Sequence, residues 1–98
     1  MAKIEVVING VSYPCRPTMG AMIRFREIAN KDITQFENDF TDMCKFLYCC
    51  VASASAADGI DFNLDFMAFA DAICPEDLNS WFRNLQAEMA EINAGNEA

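Results

Sequence analysis

The residues able to do chemistry in this chain are carboxylates and thiols. There are 15 Asp and Glu, five cysteines (Cys15, Cys44, Cys49, Cys50, Cys74) and no histidine. Without histidine, a cysteine nucleophile lacks its usual base, and a zinc site lacks its usual nitrogen ligand. The cysteines do not fall into the spaced pairs of a zinc framework, and adjacent Cys49 and Cys50 seldom bridge each other. With no secretion signal at the N-terminus, they read as reduced cytosolic thiols used as small apolar side chains. Asp58-Gly59-Ile60-Asp61 resembles the end of a calcium loop. Placing Gly59 at the sixth position puts Ala54 and Ala56 at the first and third, where oxygen ligands are required. None of Ser12, Ser53, Ser55 and Ser80 follows an Asp, as a carrier-protein attachment serine would. The four glycines form no phosphate-binding loop. No metal, no cofactor and no catalytic residue is therefore expected, and the abundant acids read as a solvated face.

The composition narrows the class. A chain of 98 residues is one domain. Eight Phe, two Tyr, one Trp and six Met exclude an acidic disordered tail. A net charge of -8 argues against a phosphate-driven nucleic-acid binder. No run of about 18 apolar residues exists to cross a membrane. Yet 53% of the residues are apolar and mean hydropathy is +0.07. Either some apolar surface awaits self-association or a hydrophobic partner, or Ala and Cys inflate the figure. Charge is also uneven. Residues 1–31 are net +3 and residues 32–98 net -11. That asymmetry can orient head-to-tail association, or draw the two parts together within one fold.

Several elements must position these side chains. Ile4, Val6 and Ile8 alternate along a β-branched strand, Asn9-Gly10 is a type I′ hairpin signal, and Val11 to Cys15 returns as an edge strand bearing Pro14. Thr18 caps a helix to about Ala29, with Met22, Phe25, Ile28 and Ala29 inward. Asp32 to Phe36 is a connection with room for one helical turn. Asp39 or Thr41 opens a second helix to about Ala57, apolar nearly all round and therefore buried in the fold, in an interface, or both. Asp65 caps a short third helix carrying Phe66, Phe69, Ala70 and Ile73. Pro75-Glu76-Asp77 starts a fourth, with Leu78, Trp81, Phe82, Leu85, Met89 and Ile92 on one stripe and a stop at Gly95. The expected fold is α+β, an N-terminal β-hairpin packed on a small bundle of about four α-helices. It forms a single domain over 1–98, with the hairpin at 1–17, the helical part at 18–94 and a frayed tail at 95–98.

Ile8-Asn9-Gly10, Tyr13-Pro14 and Thr18-Met19-Gly20-Ala21-Met22-Ile23-Arg24-Phe25 resemble the opening of tail assembly chaperones of long-tailed, siphovirus-like phages and prophages. There a strand, a Gly turn, a "Y-P/E" strand and a "T-x-G-A-L-x-x-F/L" helix start follow in order. Phe66 to Phe69 and Pro75-Glu76-Asp77-Leu78 extend the likeness, which spans roughly Ile4 to Leu85. The resemblance implies a non-enzymatic chaperone that keeps the tape measure protein soluble while the tail is built. It also implies a host-cytoplasmic protein, absent from the mature virion, that often self-associates and needs no cofactor.

The partner-contact or self-contact residues expected are Phe36, Phe40, Phe46 and Trp81. Phe46 lies off the main stripe of the second helix, and Phe36 and Phe40 lie in or beside the connection before it. Two other readings stand beside the chaperone: a structural subunit or interaction module retained in a phage-encoded complex, and an acidic enzyme using paired carboxylates.

Overall fold

The computed structural model describes residues 4–96, and the side chains of residues 4–90. Residues 1–3, the side chain of Ile92 and residues 97–98 lie outside that range, and with them the beginning of the hairpin region expected over 1–17, the last position of the fourth apolar stripe and half of the tail expected at 95–98.

Asn9 and Gly10 have φ of 52° and 81°, as a two-residue type I′ turn requires. They join β1 (Ile4–Ile8) to β2 (Val11–Cys15) in an antiparallel pair with Ile8 opposite Val11 and Glu5 opposite Pro14. Counting outward from the turn, hydrogen-bonded and non-hydrogen-bonded pairs alternate, so Glu5–Pro14 is a non-hydrogen-bonded pair. The Pro14 nitrogen points away from β1, and the missing N–H costs no ladder bond. Ile4, Val6 and Ile8 are buried, while Glu5 and Val7 face outward. The hairpin lays its inner face on the helices, β2 on α2 and β1 on α4.

Helix α1 (Met19–Ala29) begins where the Thr18 hydroxyl accepts the Ala21 N–H at 3.0 Å. It ends at Asn30, which takes the left-handed conformation and donates its N–H to the Arg26 carbonyl. Phe25 and Ala21 are its buried side chains, whereas Ile28, expected inward, is 37% exposed. Asp32 then organises a single 3-10 turn (Ile33–Gln35) with a reciprocal capping box: its carboxylate accepts the Thr34 N–H, and Gln35 Oε1 accepts the Asp32 N–H.

Helix α2 (Phe40–Ala57) is capped by Asp39, whose carboxylate accepts the Asp42 N–H at 2.8 Å. Phe46, Leu47, Cys49, Cys50 and Val51 are each no more than 1% exposed. Neighbours within the chain thus cover nearly the whole circumference, and the large exposed apolar side chain on α2 is Phe40, at its start. Helix α3 (Phe66–Asp71) is capped by Asp65, and α4 (Pro75–Asn96) starts at Pro75. Helix α4 passes through Gly95 rather than stopping there. With Leu78, Phe82 and Leu85 buried and Trp81 and Met89 packed on the core from the side, it closes the bundle. The architecture is the expected hairpin on four helices.

Two ion pairs among the described residues join the basic N-terminal stretch to the acidic remainder. Arg16 reaches Asp58 at 2.7 Å and also donates to the Ala54 carbonyl, tying the end of the hairpin to the C-terminal end of α2. Lys31 reaches Asp42 at 2.6 Å. Part of the charge asymmetry is thereby satisfied inside the chain. Among the described residues no helix is long and apolar enough to cross a membrane.

Candidate partner-binding grooves

Positions 46 and 48 of α2 are about 200° apart around the helix axis, so Phe46 and Tyr48 project to opposite sides. Each is the centre of an aromatic cluster. Around Phe46 lie Phe25 (centroids 5.9 Å, planes at 87°) and Phe36 (6.2 Å), and Phe36 stacks on Phe82 of α4 at 5.5 Å. Around Tyr48 lie Phe62, Phe66 and Phe69, and the Tyr48 hydroxyl donates to the Leu64 carbonyl at 2.7 Å. Edge-to-face contacts of this kind add a fraction of a kcal/mol to about 1.5 kcal/mol each beyond the area they bury.

Each cluster carries a groove open to solvent. The first, of about 350 Å³, runs between the 3-10 turn and α4; Ile33, Phe36, Phe82 and Met89 form its walls and Phe46 its floor. The second, of about 380 Å³, lies between the start of α2, α3 and the start of α4, with Phe40, Cys44, Met67 and Ile73 among its linings. Met67 at 61% exposed and Phe40 at 55% stand at its rim.

The four residues singled out in the sequence do not make one patch. Phe36 and Phe46 meet in the first groove, Phe40 belongs to the second, and Trp81 packs half-buried against the core and lines neither. Phe46 corrects the expectation of a surface contact. At 1% exposed it is a core side chain, because Phe25 and Phe36, arriving from two other segments, close over the side of α2 that the helix alone leaves open. Met67 and Ile33 fall outside the expected apolar stripes and carry no signal there, whereas Met89 is on the stripe of α4 and reaches the groove from it.

The carboxylates converge once among the described residues. One oxygen each of Glu37, Asp39 and Asp42 lies within 4.8 Å of the others. Local structure accounts for two of them. Asp39 caps α2, and Asp42 accepts the Glu37 N–H at 2.9 Å and the Lys31 ammonium. Burial pushes the Asp42 carboxyl upward, but Lys31 and the Glu37 N–H outweigh it, and the net direction is down. Asp58, the one acid in the first six positions of the calcium-loop register, is held by Arg16. The thiols of α2 are poor nucleophiles: burial raises Cys44, raises Cys49 to about 12 and raises Cys50 well above the usual thiol value. What the surface offers is apolar contact beside negative charge.

Comparison with protein families, with curated proteins and with solved structures finds no match to this chain.

Proposed function

We propose that the chain is a non-enzymatic tail assembly chaperone of a long-tailed phage or prophage. In this reading it works in the host cytoplasm, binds the tape measure protein, self-associates, and is left out of the mature virion. The observation that supports the reading is the pair of open apolar grooves on opposite sides of α2. They offer Phe, Met and Ile side chains of the kind that take up the apolar face of a helix. The resemblance of residues 4–85 to that family supports it from the sequence. The acidic composition keeps a holder of greasy helices dispersed.

Co-expression with the tape measure protein of the same phage or prophage tests the reading. The tape measure protein should move from the pellet to the supernatant, and unchanged solubility would overturn the proposal. Finding the chain at stoichiometric amounts in purified virions would favour a structural subunit instead.

A further inference from the structure

Counting outward from the Asn9-Gly10 turn, Ile8–Val11, Val6–Tyr13 and Ile4–Cys15 are the hydrogen-bonded pairs of the hairpin. Glu5 and Val7 lie between them, in non-hydrogen-bonded pairs. Their N–H and C=O groups therefore point away from β2, toward the other edge of β1. The sheet has two strands, and among the described residues no backbone group pairs with that edge. It presents two donors and two acceptors at the spacing of a further strand.

The opposite edge is not equivalent. There Ser12 and Pro14 face outward, and Pro14 brings no N–H. Just beyond, the Arg16 N–H is donated to the Cys50 carbonyl at 3.4 Å, which fastens the end of β2 to α2. A proline on an edge strand closes it to another chain. The edge of β1 carries no such block. On the exposed face of the hairpin beside it stand Glu5, in no ion pair among the described residues, and Val7, 51% exposed. No hairpin residue lines either groove, so this edge is a separate surface.

We infer that the edge of β1 takes an extended segment of a protein partner, added antiparallel as a third strand. Four backbone hydrogen bonds, two each to Glu5 and Val7, would hold it. A helix has spent these groups on itself, and only an extended chain returns them at this spacing. The segment carries a cationic residue opposite Glu5, a β-branched residue opposite Val7, and between them an apolar residue facing inward as Val6 does. A second copy of β1 fits less well. It would set both Glu5 carboxylates on one face of the joint sheet, between chains of net charge -8 each. This site goes beyond the helix-binding grooves and does not depend on them.

The probe is the peptide acetyl-Thr-Val-Ile-Lys-Thr-amide, added at millimolar concentration to the full chain and followed by amide resonances and hydrogen exchange. In the free chain the amides of Glu5 and Val7 should exchange fast, and those of Val6 and Ile8 slowly. The peptide should shift the Glu5 and Val7 resonances saturably and slow their exchange. N-methylation of its Val and Lys, whose N–H groups would face β1, should weaken binding about tenfold or more. N-methylation of its Ile, whose N–H would point away, should leave binding unchanged. Val7→Pro removes a donor from the edge and no ladder bond, so it should weaken binding to a similar degree with an unchanged circular dichroism spectrum. The peptide comparison needs no variant and decides the matter even where Val7→Pro does not fold. Glu5→Lys should lose the peptide and gain one with Glu in place of Lys. The inference is overturned if the Glu5 and Val7 amides do not respond, or if all the N-methylated peptides bind alike. Slow exchange of both amides in the free chain, in a species of twice the 10.9 kDa of one copy, would also overturn it and give the edge to a second copy.

Discussion

Phe36 and Phe82 lie face to face, their centroids 5.5 Å apart and their planes 4° from parallel. This one contact fastens the segment before α2 to the middle of α4, 46 residues further along the chain. It forms one wall of the groove that faces the acidic cluster. Phe82 is 4% exposed, so Phe82→Ala removes a nearly complete ring from the core. We expect a loss of about 3–5 kcal/mol in urea unfolding, and a smaller loss for half-buried Phe36→Ala. The double variant should cost less than the sum by about 0.5–1.5 kcal/mol, the coupling of an aromatic pair. Full additivity would mean that the rings do not support each other.

Acid should weaken the fold through Asp42 and Asp32. Both carboxyls lie below the ordinary aspartate value of 3.8. For Asp42, burial raises it but Lys31 and the Glu37 N–H prevail; for Asp32, the Thr34 N–H and hydroxyl lower it. A depressed folded pKa gives stability that is present above the unfolded value and disappears as pH falls through the folded one. Lys31 is shifted up by Asp42 and, more weakly, by nearby acids, so its share is present below its ordinary 10.5 and is lost as pH rises beyond that. Asp42→Asn should cost roughly 1.5–3 kcal/mol, the range for a hydrogen bond to a charged group. In melts from pH 2 to 8, the gap between wild type and Asp42→Asn should hold from pH 5 to 8 and close below about pH 4. A gap independent of pH would remove the ion pair from the account.

The cysteines should divide four to one. Cys15, Cys44, Cys49 and Cys50 are buried and Cys74 is exposed. Alkylation of the native chain at pH 8 followed by mass spectrometry should label Cys74 alone within minutes, and all five cysteines in denaturant. Prompt labelling of Cys49 or Cys50 would mean that α2 opens far more readily than its burial implies.

Gly20 of α1 packs closely against Ser53 of α2. A Cβ there would stand 2.8 Å from Ser53 Oγ, which is itself 2.5 Å from the Thr18 hydroxyl oxygen. Alanine improves helix propensity by about 1 kcal/mol, but overpacking of this kind costs about 1–3 kcal/mol. Gly20→Ala should therefore be destabilising by about 1 kcal/mol in wild type, and should become neutral or stabilising in a Ser53→Ala background. The same sign in both backgrounds, read from thermal melts, would sink the packing explanation.

Ser55 is fully buried, and its hydroxyl has no hydrogen-bond partner among the described residues. Burying an unpaired hydroxyl costs about 1–3 kcal/mol by mutational measures. Ser55→Ala should thus raise stability by about 1 kcal/mol or more, seen as an increase in the urea midpoint without change of slope.

The punctuation of the fold is legible in the sequence because its causes are local. Asn9-Gly10 needs only its own backbone preferences; Thr18, Asp39 and Asp65 accept N–H groups of the next turn, and Pro75 lacks only an N–H that the first turn of a helix leaves unpaired anyway. The grooves are a different matter. Helix α2 is apolar nearly all round, and nothing in its own residues says which side a neighbour will cover. Phe46 is core because Phe25 and Phe36 come from elsewhere to meet it. The same holds for Glu37, Asp39 and Asp42. In one dimension they are a solvated run before a helix cap; only the turn between Phe36 and Phe40 folds them toward Lys31 and one another.

Because β2, α1, α3 and α4 all lean on α2, none of them keeps its apolar side covered once that helix leaves. Melting is then a single all-or-none event, which Trp81, the one tryptophan, should report at the same temperature as the loss of helix. Whatever exchanges on and off this surface must do so over a standing scaffold. Side chains such as Phe40 and Met67 can turn aside to admit or release a partner; no segment has to come undone and refold around it.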